Sequence, residues 1–578
     1  MDIVSKLKNL YSQPDFIPAT LDEIKKIGWS EIDIIIITGD AYIDHPSFGV
    51  SIIGRVLIAA GYRVAIISQP NWKDENSLKI FGKPRIAFAI SSGNIDSYLK
   101  NYSAARRFRK NDDYSENSKI GLCPPNTVVK YSNLARQAYP GVRIIIGGIE
   151  ASMRRAVYYD YWHDRIRPSI LLESKADFLI YGMGEKTILE LVERINLSEN
   201  LNDLRGIARL LGTKEAENII PAKCRFLPSF EDILKNPVKL IDEMKIIEEE
   251  SNPFNAKPLL QKHNERVLLI NPPQFPLSAD ELDAIYKLPF AYSPHPKYKS
   301  KIPAFDMIKN SITAVRGCPG GCSFCTLALH QGKFLQSRSP ESIICEIRRI
   351  SKKAFFKGTI SDIGGPSANC YSLSQPLSDK CKKCRRISCL FPEICSEFKI
   401  NDTVFAKVLR RAKREPNVKN VFVSSGLRTD IALRQKMTTK QIIRENVSGH
   451  LKIAPEHLDD EVLKLMRKNK SEDFFRFLKI FIEESKSAGK EQYIVPYFIA
   501  NFLGSGEKEF EKIKNFLRKS QWRLQQVQDF IPLPMTLASA IYYSEKDING
   551  NPIKVNKGLR ERRKQLYLLK GRTLSNNF

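Results

Sequence analysis

The sequence predicts an α/β protein in two parts. An amino-terminal doubly wound parallel sheet comes first, and a partial (β/α)6 barrel follows. Three observations predict this. Short, continuous apolar strands such as "DIIIITGD" alternate with helical segments, a pattern that needs both sheet faces covered. The alternation occurs twice, on either side of a charged stretch. The 578 residues are enough for two or three domains.

In the first part, residues 1–215, "DIIIITGD" is a strand ending at Gly39-Asp40, and "FGVSIIGRVLIAAG" is a helix closed by Gly61. "YRVAIIS" and "PRIAFAIS" are strands, "VVKYSNLARQAYP" a helix, and "VRIIIGG" and "ADFLIYGMGE" two further strands. Such sheets bind ligands beyond the carboxyl ends of their strands, which nominates Asp40, Gly147, Gly148 and Glu185. No GxGxxG fingerprint is present, so an ordinary dinucleotide site is not expected. Residues 216–302 are a charged, helical connector, with a strand at "RVLLINPP" that stops at a double proline. From 303 to 573 the strands are "SITAVRG", "GTISDIGG", "NVFVSSGLR", "HLKIAPEH", "QYIVPYFIA" and "QVQDFIP", with helical segments between them. Barrel chemistry sits at the carboxyl ends of strands, and the polar motifs lie there.

Composition narrows the class. Forty-two per cent hydrophobic and 27% charged is ordinary for a globular protein. No apolar run approaches a membrane span, and the opening "MDIVSKLKNLYSQPDF" has no apolar signal-peptide core. Cytoplasmic residence without a membrane partner is the expectation, and the eleven cysteines are then reduced thiols or metal ligands. A net charge of +27 suits RNA or a generally basic solvated surface. Two local runs keep RNA open as a partner: "AARRFRKND" from Ala104, and the tail from Ile553 to Arg572, whose helix either docks on phosphate or packs on the body. In that tail, Arg560, Arg563, Lys564 and Tyr567 fall on one helix face, and Leu559, Leu566 and Leu569 on the packing side.

Cys318, Cys322 and Cys325 form C-x3-C-x2-C directly after a predicted strand. Three thiolates on a tight loop hold three corners of an iron–sulfur cube and leave one iron open, whereas zinc wants a fourth protein ligand. Gly317, Gly320 and Gly321 let the backbone close around such a cluster. Cys345, on the following helix, is expected to be a packed core thiol. A second group lies in an insert, residues 370–395. Cys381, Cys384, Cys389 and Cys395 form C-x2-C-x4-C-x5-C, with Cys370 nearby. Their readings are a second iron–sulfur cluster, a structural zinc, or unliganded thiols, in that order.

C-x3-C-x2-C with Phe324 before the last cysteine resembles the signature of radical S-adenosylmethionine (SAM) enzymes. That resemblance implies a [4Fe-4S] cluster at the three cysteines, SAM chelated by the open iron, and a reduced flavodoxin or ferredoxin as electron donor. It implies that SAM is cleaved to methionine and a 5′-deoxyadenosyl radical. Phe324 would approach adenine through its backbone. "SDIGGPSAN" resembles the superfamily's Gly-Gly-Glu element through Gly364 and Gly365, with Pro366 in place of the acid. "VFVSSGLRTD" places Ser424, Ser425 and Arg428 where ribose or carboxylate is often bound. "LKIAPEHLDDEVLKLMRKN" resembles an element of tRNA methylthiotransferases and nominates Glu456 and His457. "INPPQFPLSADELDAIYKLPF", "RGCPGGCSFC", "HQGKFLQSRS" and "AGKEQYIVPYFIA", with the motifs above, resemble the YgiQ family across nearly the whole chain.

That family's reaction is unassigned, so the resemblance implies cofactor chemistry and leaves the substrate open, with RNA modification the leading guess. The contrasting reading is a non-catalytic iron–sulfur protein that senses redox state or binds nucleic acid. The amino-terminal domain resembles the cobalamin-binding domains of a large radical SAM class. In "DHPSFG", however, His45 follows Asp44 directly, which breaks the cobalt-ligand spacing, so cobalamin ranks behind a substrate-binding or vestigial domain. "EASMRRAVYYDYWHDRIRPS", Glu150 to Ser169, is read either as a site for an anionic or nucleobase substrate or as packing.

Overall fold

The computed structural model describes residues 3–8, 12–219, 223–375, 377–520, 522, 524 and 527–570. The chain divides into two compact units, Met1–Lys309 and Asn310–Phe578.

In the first unit the strands β1 (Ile34–Thr38), β2 (Val64–Ser68), β3 (Ala87–Ser91), β4 (Ile144–Gly147) and β5 (Phe178–Ile180) run parallel, in the order β2-β1-β3-β4-β5. All five residues of β1 are buried, as a central strand of a covered sheet requires. The order reverses beside β1, the switch point at which doubly wound sheets open a crevice. Two buried charged groups lie near this point. The Lys100 ammonium is buried against the Asp40 carboxylate and donates to Gly39 O at 3.2 Å. Glu150 accepts from the backbone amides of Ser97 and Val128 at 2.8 and 3.0 Å.

The segment 216–302, expected as a connector, belongs to this unit. β6 (Ile207–Leu211), β7 (Arg225–Phe226), β8 (Leu259–His263) and β9 (Arg266–Ile270) extend the sheet to nine strands, and β9 pairs antiparallel with both β6 and β8. The hairpin between β8 and β9 turns at Asn264, whose φ of 52° is one that Asn tolerates. "RVLLI" therefore completes the first sheet. The helix Pro303–Ile308 is also part of this unit, since Ala304 N donates to Asp113 O at 2.9 Å.

The second unit sets its strands side by side in chain order. β10 (Ser311–Thr313) pairs parallel with β12 (Asp362–Gly364), and β11 (Thr359–Ile360) with β13 (Asn420–Val421). Leu427 bridges in parallel to Ile453 of β14 (His450–Glu456), which pairs with β15 (Tyr493–Ala500), and that with β16 (Gln528–Asp529). Helices α1 (Pro340–Ile350), α2 (Val404–Lys413), α3 (Lys436–Glu445), α4 (Asp460–Met466), α5 (Ser471–Ser487) and α6 (Glu507–Ser520) lie between them in sequence. This is the neighbour order of a β/α barrel wall. α1 starts where the sequence signals it. Ser339 caps, its hydroxyl accepting from Ser342 N at 3.1 Å, and Pro340 occupies the first turn. α5 buries Phe474, Phe477 and Phe481, one face at helical spacing.

Candidate functional site

The three-cysteine loop leaves a short antiparallel pairing of Val315–Arg316 with Gln336–Ser337. Gly317 then turns at φ 90°, and a side chain there would strike the Phe334 carbonyl. Its amide donates to Gln331 Oε1 at 3.0 Å, and Cys318 N donates to Gly332 O at 3.0 Å. Ser323, between Cys322 and Phe324, is buried. Its amide and hydroxyl donate to the carbonyls of Met466 and Leu465 at 3.1 and 2.6 Å. Ser323 therefore satisfies the open carboxyl end of α4 and ties the cysteine loop to the "VLKLMR" segment. Cys318, Cys322 and Cys325 are half-buried, and burial pushes the Cys318 and Cys325 thiols up.

Three strand ends converge on this loop. Gly364 and Gly365 close β12. A side chain at Gly364 would overlap the Ser425 hydroxyl, and one at Gly365 the Val315 carbonyl. These glycines are required by close strand approach. The Gly364 carbonyl also accepts from Ala314 N at 2.7 Å, so it is engaged in the sheet. Ser424 and Ser425 are held by Asp362, whose Oδ1 accepts from both amides at 2.7 and 3.1 Å and from the Ser425 hydroxyl at 3.2 Å.

Arg428 lies against the cysteine loop, its Nη1 2.6 Å from where a Gly320 side chain would begin. Asp430 grips its Nε and Nη2 at 3.2 and 2.7 Å. Asn369 clamps its backbone with two 3.0 Å bonds. Burial opposes the guanidinium charge, but Asp430 and the neighbouring Cys322 outweigh it and keep Arg428 cationic.

Glu456 ends β14 in a left-handed conformation, φ 67°, after Pro455 has interrupted the ladder and shifted the register. A non-glycine residue there is strained by about 1–3 kcal/mol. Glu456 is 8% exposed, and its Oε2 has no hydrogen-bond partner. Burial pushes its carboxyl up, opposed by Lys468 and Arg428. Lys468 is 4.0 Å from Oε1 and donates to Ala454 O at 2.8 Å. His457 points elsewhere. Its Nε2 meets Ser505 Oγ at 3.0 Å and its Nδ1 accepts from Asp459 N at 3.0 Å, so it is a buried structural residue. Phe324 packs edge-on to Phe502.

Asp362, Asn369, Asp430 and Lys468 were not singled out in the sequence. Asp362 stood inside a quoted motif, "SDIGGPSAN", and Asp430 closed "SSGLRTD", which was the available signal. Cys345 is exposed on α1, not packed in the core, because its position falls on the outer face of that helix. In the second cysteine group, Cys370 is a core thiol beside Leu373 and Phe398, whereas Cys381, Cys384, Cys389 and Cys395 line one cavity of about 100 Å³. The segment Glu150 to Ser169 is largely buried, with Arg154 paired to Asp96 and Arg155 over the Tyr181 ring. The basic tail helix α7 (Leu559–Leu569) packs through Arg562, Gln565 and Leu569, whereas Leu559 is exposed. Arg562 donates to Asp529 at 2.8 Å, and Lys564 contacts Glu507. Gly571 and Arg572 of the predicted tail lie outside the described residues.

Comparisons with known proteins show what the chain is similar to. The radical SAM N-terminal family model matches residues 16–311, and the radical SAM superfamily model matches residues 312–517. The UPF0313 protein GSU2873 of Geobacter sulfurreducens is 42% identical over 558 residues, covering 96% of this chain and 92% of its own. The UPF0313 protein of Thermotoga maritima is 41% identical, covering 96% and 99%.

The chain belongs to the UPF0313 family, which is the YgiQ family.

Among solved structures, the radical SAM methyltransferase TsrM from Kitasatospora setae, described with cobalamin and a [4Fe-4S] cluster bound, is similar in fold. The TM-score is 0.50 at 11% identity, covering 93% of this chain and 91% of that one. Membership of the radical SAM superfamily implies a [4Fe-4S] cluster and SAM. The residues fit both. Three cysteines share one glycine-shaped loop, and a buried carboxylate oxygen without a partner stands beside it. Among the described residues no three such groups stand close enough to hold a single metal ion. A cube places each thiolate on a different iron, farther apart than the roughly 4 Å sulfur separation around one tetrahedral zinc. No described helix is long and apolar enough to cross a membrane.

Proposed function

We propose that this protein is a radical SAM enzyme that reductively cleaves SAM at a cluster on Cys318, Cys322 and Cys325. One observation carries the reading: the strained, buried Glu456 with an unpartnered oxygen, and Arg428 fixed by Asp430, both stand beside a three-cysteine loop. Strain and an unsatisfied buried carboxylate each cost stability, and such costs collect where a ligand repays them. When bound, the cluster supplies one electron from a reduced flavodoxin or ferredoxin, and the C5′–S bond of SAM breaks to methionine and a 5′-deoxyadenosyl radical. The chain's own part is to bind and shield. Glu456 accepts a hydrogen bond from a SAM hydroxyl or ammonium. Arg428 places fixed positive charge beside the anionic thiolates. Gly364, Gly365 and Ser425 shape the strand ends on which SAM lies, and the backbone at Phe324 borders the adenine. A closed site keeps a primary radical from solvent.

RNA modification remains the favoured substrate class, supported by the +27 charge and by exposed Arg560 and Arg563 on α7. To test the reading, SAM is titrated into anaerobically reduced protein while the cluster's electron paramagnetic resonance (EPR) signal is recorded. SAM should change the signal in the wild type and leave no trace in Cys322→Ala. An assembled cluster indifferent to SAM would refute it.

A further inference from the structure

The insert's four cysteines line a single cavity of about 100 Å³ together with Lys333 and Gln375. A single water needs about 10–15 Å³ of such volume, so the space takes a body several atoms across. A zinc ion does not suit it. Four thiolates about 2.3 Å from one metal leave no void between them. No three metal-binding groups among the described residues are gathered that tightly.

The cavity is also braced by buried polar side chains. Lys333, 3% exposed, donates to the carbonyls of Cys384 and Arg386 at 3.4 and 2.7 Å. Gln375 donates to Lys333 O at 2.7 Å and accepts from Leu335 N at 3.1 Å. Its Nε2 also lies 3.7 Å from Cys389 Sγ, a donor aimed at a candidate ligand sulfur. An N–H···S bond, with a buried lysine side chain bracing the loop, is the kind of contact that tunes a thiolate-bound cluster.

The insert is docked on the first loop. Cys389 N donates to Pro319 O, next to Cys318, at 2.9 Å. Gly321, at φ 57°, lies against Ile387 and Ser388, with 3.0 Å left for any side chain.

We propose that Cys381, Cys384, Cys389 and Cys395 hold a second four-iron, four-sulfur cluster, seated against the loop that carries the first three cysteines. All four irons of this cube are protein-ligated, so it does not take SAM. The inference stands apart from the SAM-cleaving reading, because it concerns other ligands.

The test is a metal and sulfide count on the full chain after anaerobic reconstitution, with EPR of the reduced protein. Wild type should hold about eight irons per chain, and Cys389→Ser/Cys395→Ser about four, on cube stoichiometry. The Cys389→Ser/Cys395→Ser protein should keep the first cluster's EPR signal. The complementary variant, Cys318→Ala/Cys322→Ala/Cys325→Ala, should also hold about four irons and give a reduced-cluster signal that SAM does not alter. Gln375→Leu should shift that signal's midpoint potential downward, since a donor to the sulfur is lost. About four irons in both wild type and Cys389→Ser/Cys395→Ser would overturn the proposal, as would one zinc per chain that disappears with those serines. Failure of SAM cleavage would leave these counts unchanged, so the two readings fail separately.

Discussion

Gly365→Ala is the sharpest single perturbation of the site. A Cβ on Gly365 would stand 2.7 Å from Val315 Cγ1 and closer still to the Val315 carbonyl oxygen, and 3.0 Å is the nearest approach real Cβ atoms make. The Val315 methyl alone must retreat by the 0.3 Å difference, and the backbone carbonyl by more. Val315 belongs to a strand, and Cys318 begins three residues later. The clash therefore moves the first cluster ligand together with the pairing to Gln336 and Ser337. Overpacking of this kind costs about 1–3 kcal/mol. Functional geometry tolerates only about 0.5 Å, and a displacement of about 1 Å costs about 100-fold in rate. Thermal unfolding should fall by roughly 2–4 °C for each kcal/mol. Iron at the first site should drop, and 5′-deoxyadenosine formation should fall by about ten- to a hundredfold. Gly364→Ala is the control. Its main clash is with the Ser425 hydroxyl, so Gly364→Ala/Ser425→Ala should recover much of the loss. Gly365→Ala protein with wild-type iron, melting point and turnover would refute the claim that close strand packing positions the cysteine loop.

Asp362→Ala should destabilise the second unit by about 1–3 kcal/mol, because two part-buried amides and a hydroxyl lose their acceptor, and Asp362→Asn by less; denaturant unfolding of the two variants checks the order. Glu456→Gln should weaken SAM binding about ten- to a hundredfold, the worth of a charged hydrogen bond, with cluster loading unchanged, as read by equilibrium binding. His457 is buried and neutral, and burial pushes its pKa down to about 4. The unfolded chain takes up a proton below about pH 6.5 and the folded chain only near 4. Stability is therefore full above pH 6.5 and falls by up to about 3 kcal/mol as pH drops to 4. Urea midpoints across that range should fall less steeply in His457→Gln. If RNA docks on α7, replacing Arg560 and Arg563 by serine should reduce the salt slope of binding by about 0.7 per lost phosphate contact, as measured by titration at several salt concentrations.

The parts legible in the sequence were those with local signatures. The five parallel strands of the first sheet announced themselves as short apolar runs, three of them ending in glycine or acid and two in serine, and C-x3-C-x2-C fixed the first loop. The parts not legible depend on distant segments meeting. Asp362 reads as an ordinary strand-end acid until β13 brings the amides of Ser424 and Ser425 to it. Arg428 was picked out, but its rigidity comes from Asp430 and Asn369, and Asn369 is 59 residues away. The strand β8 was hidden in a charged stretch, and "RVLLI", read as a strand, was separated from the sheet in which it pairs between β6 and β8. Leu559 shows the reverse error. Helical periodicity put it on the packing side of α7, yet Arg562 and Gln565 bury instead, because Asp529 and Asn501 offer them hydrogen bonds.

Cleavage of SAM is the central claim. It is tested most directly by incubating anaerobically reconstituted, dithionite-reduced protein with SAM and quantifying 5′-deoxyadenosine, with and without cell extract as a source of substrate. The account predicts product that needs reductant and SAM and that vanishes in Cys322→Ala. A fully assembled cluster that yields no 5′-deoxyadenosine under either condition would contradict it.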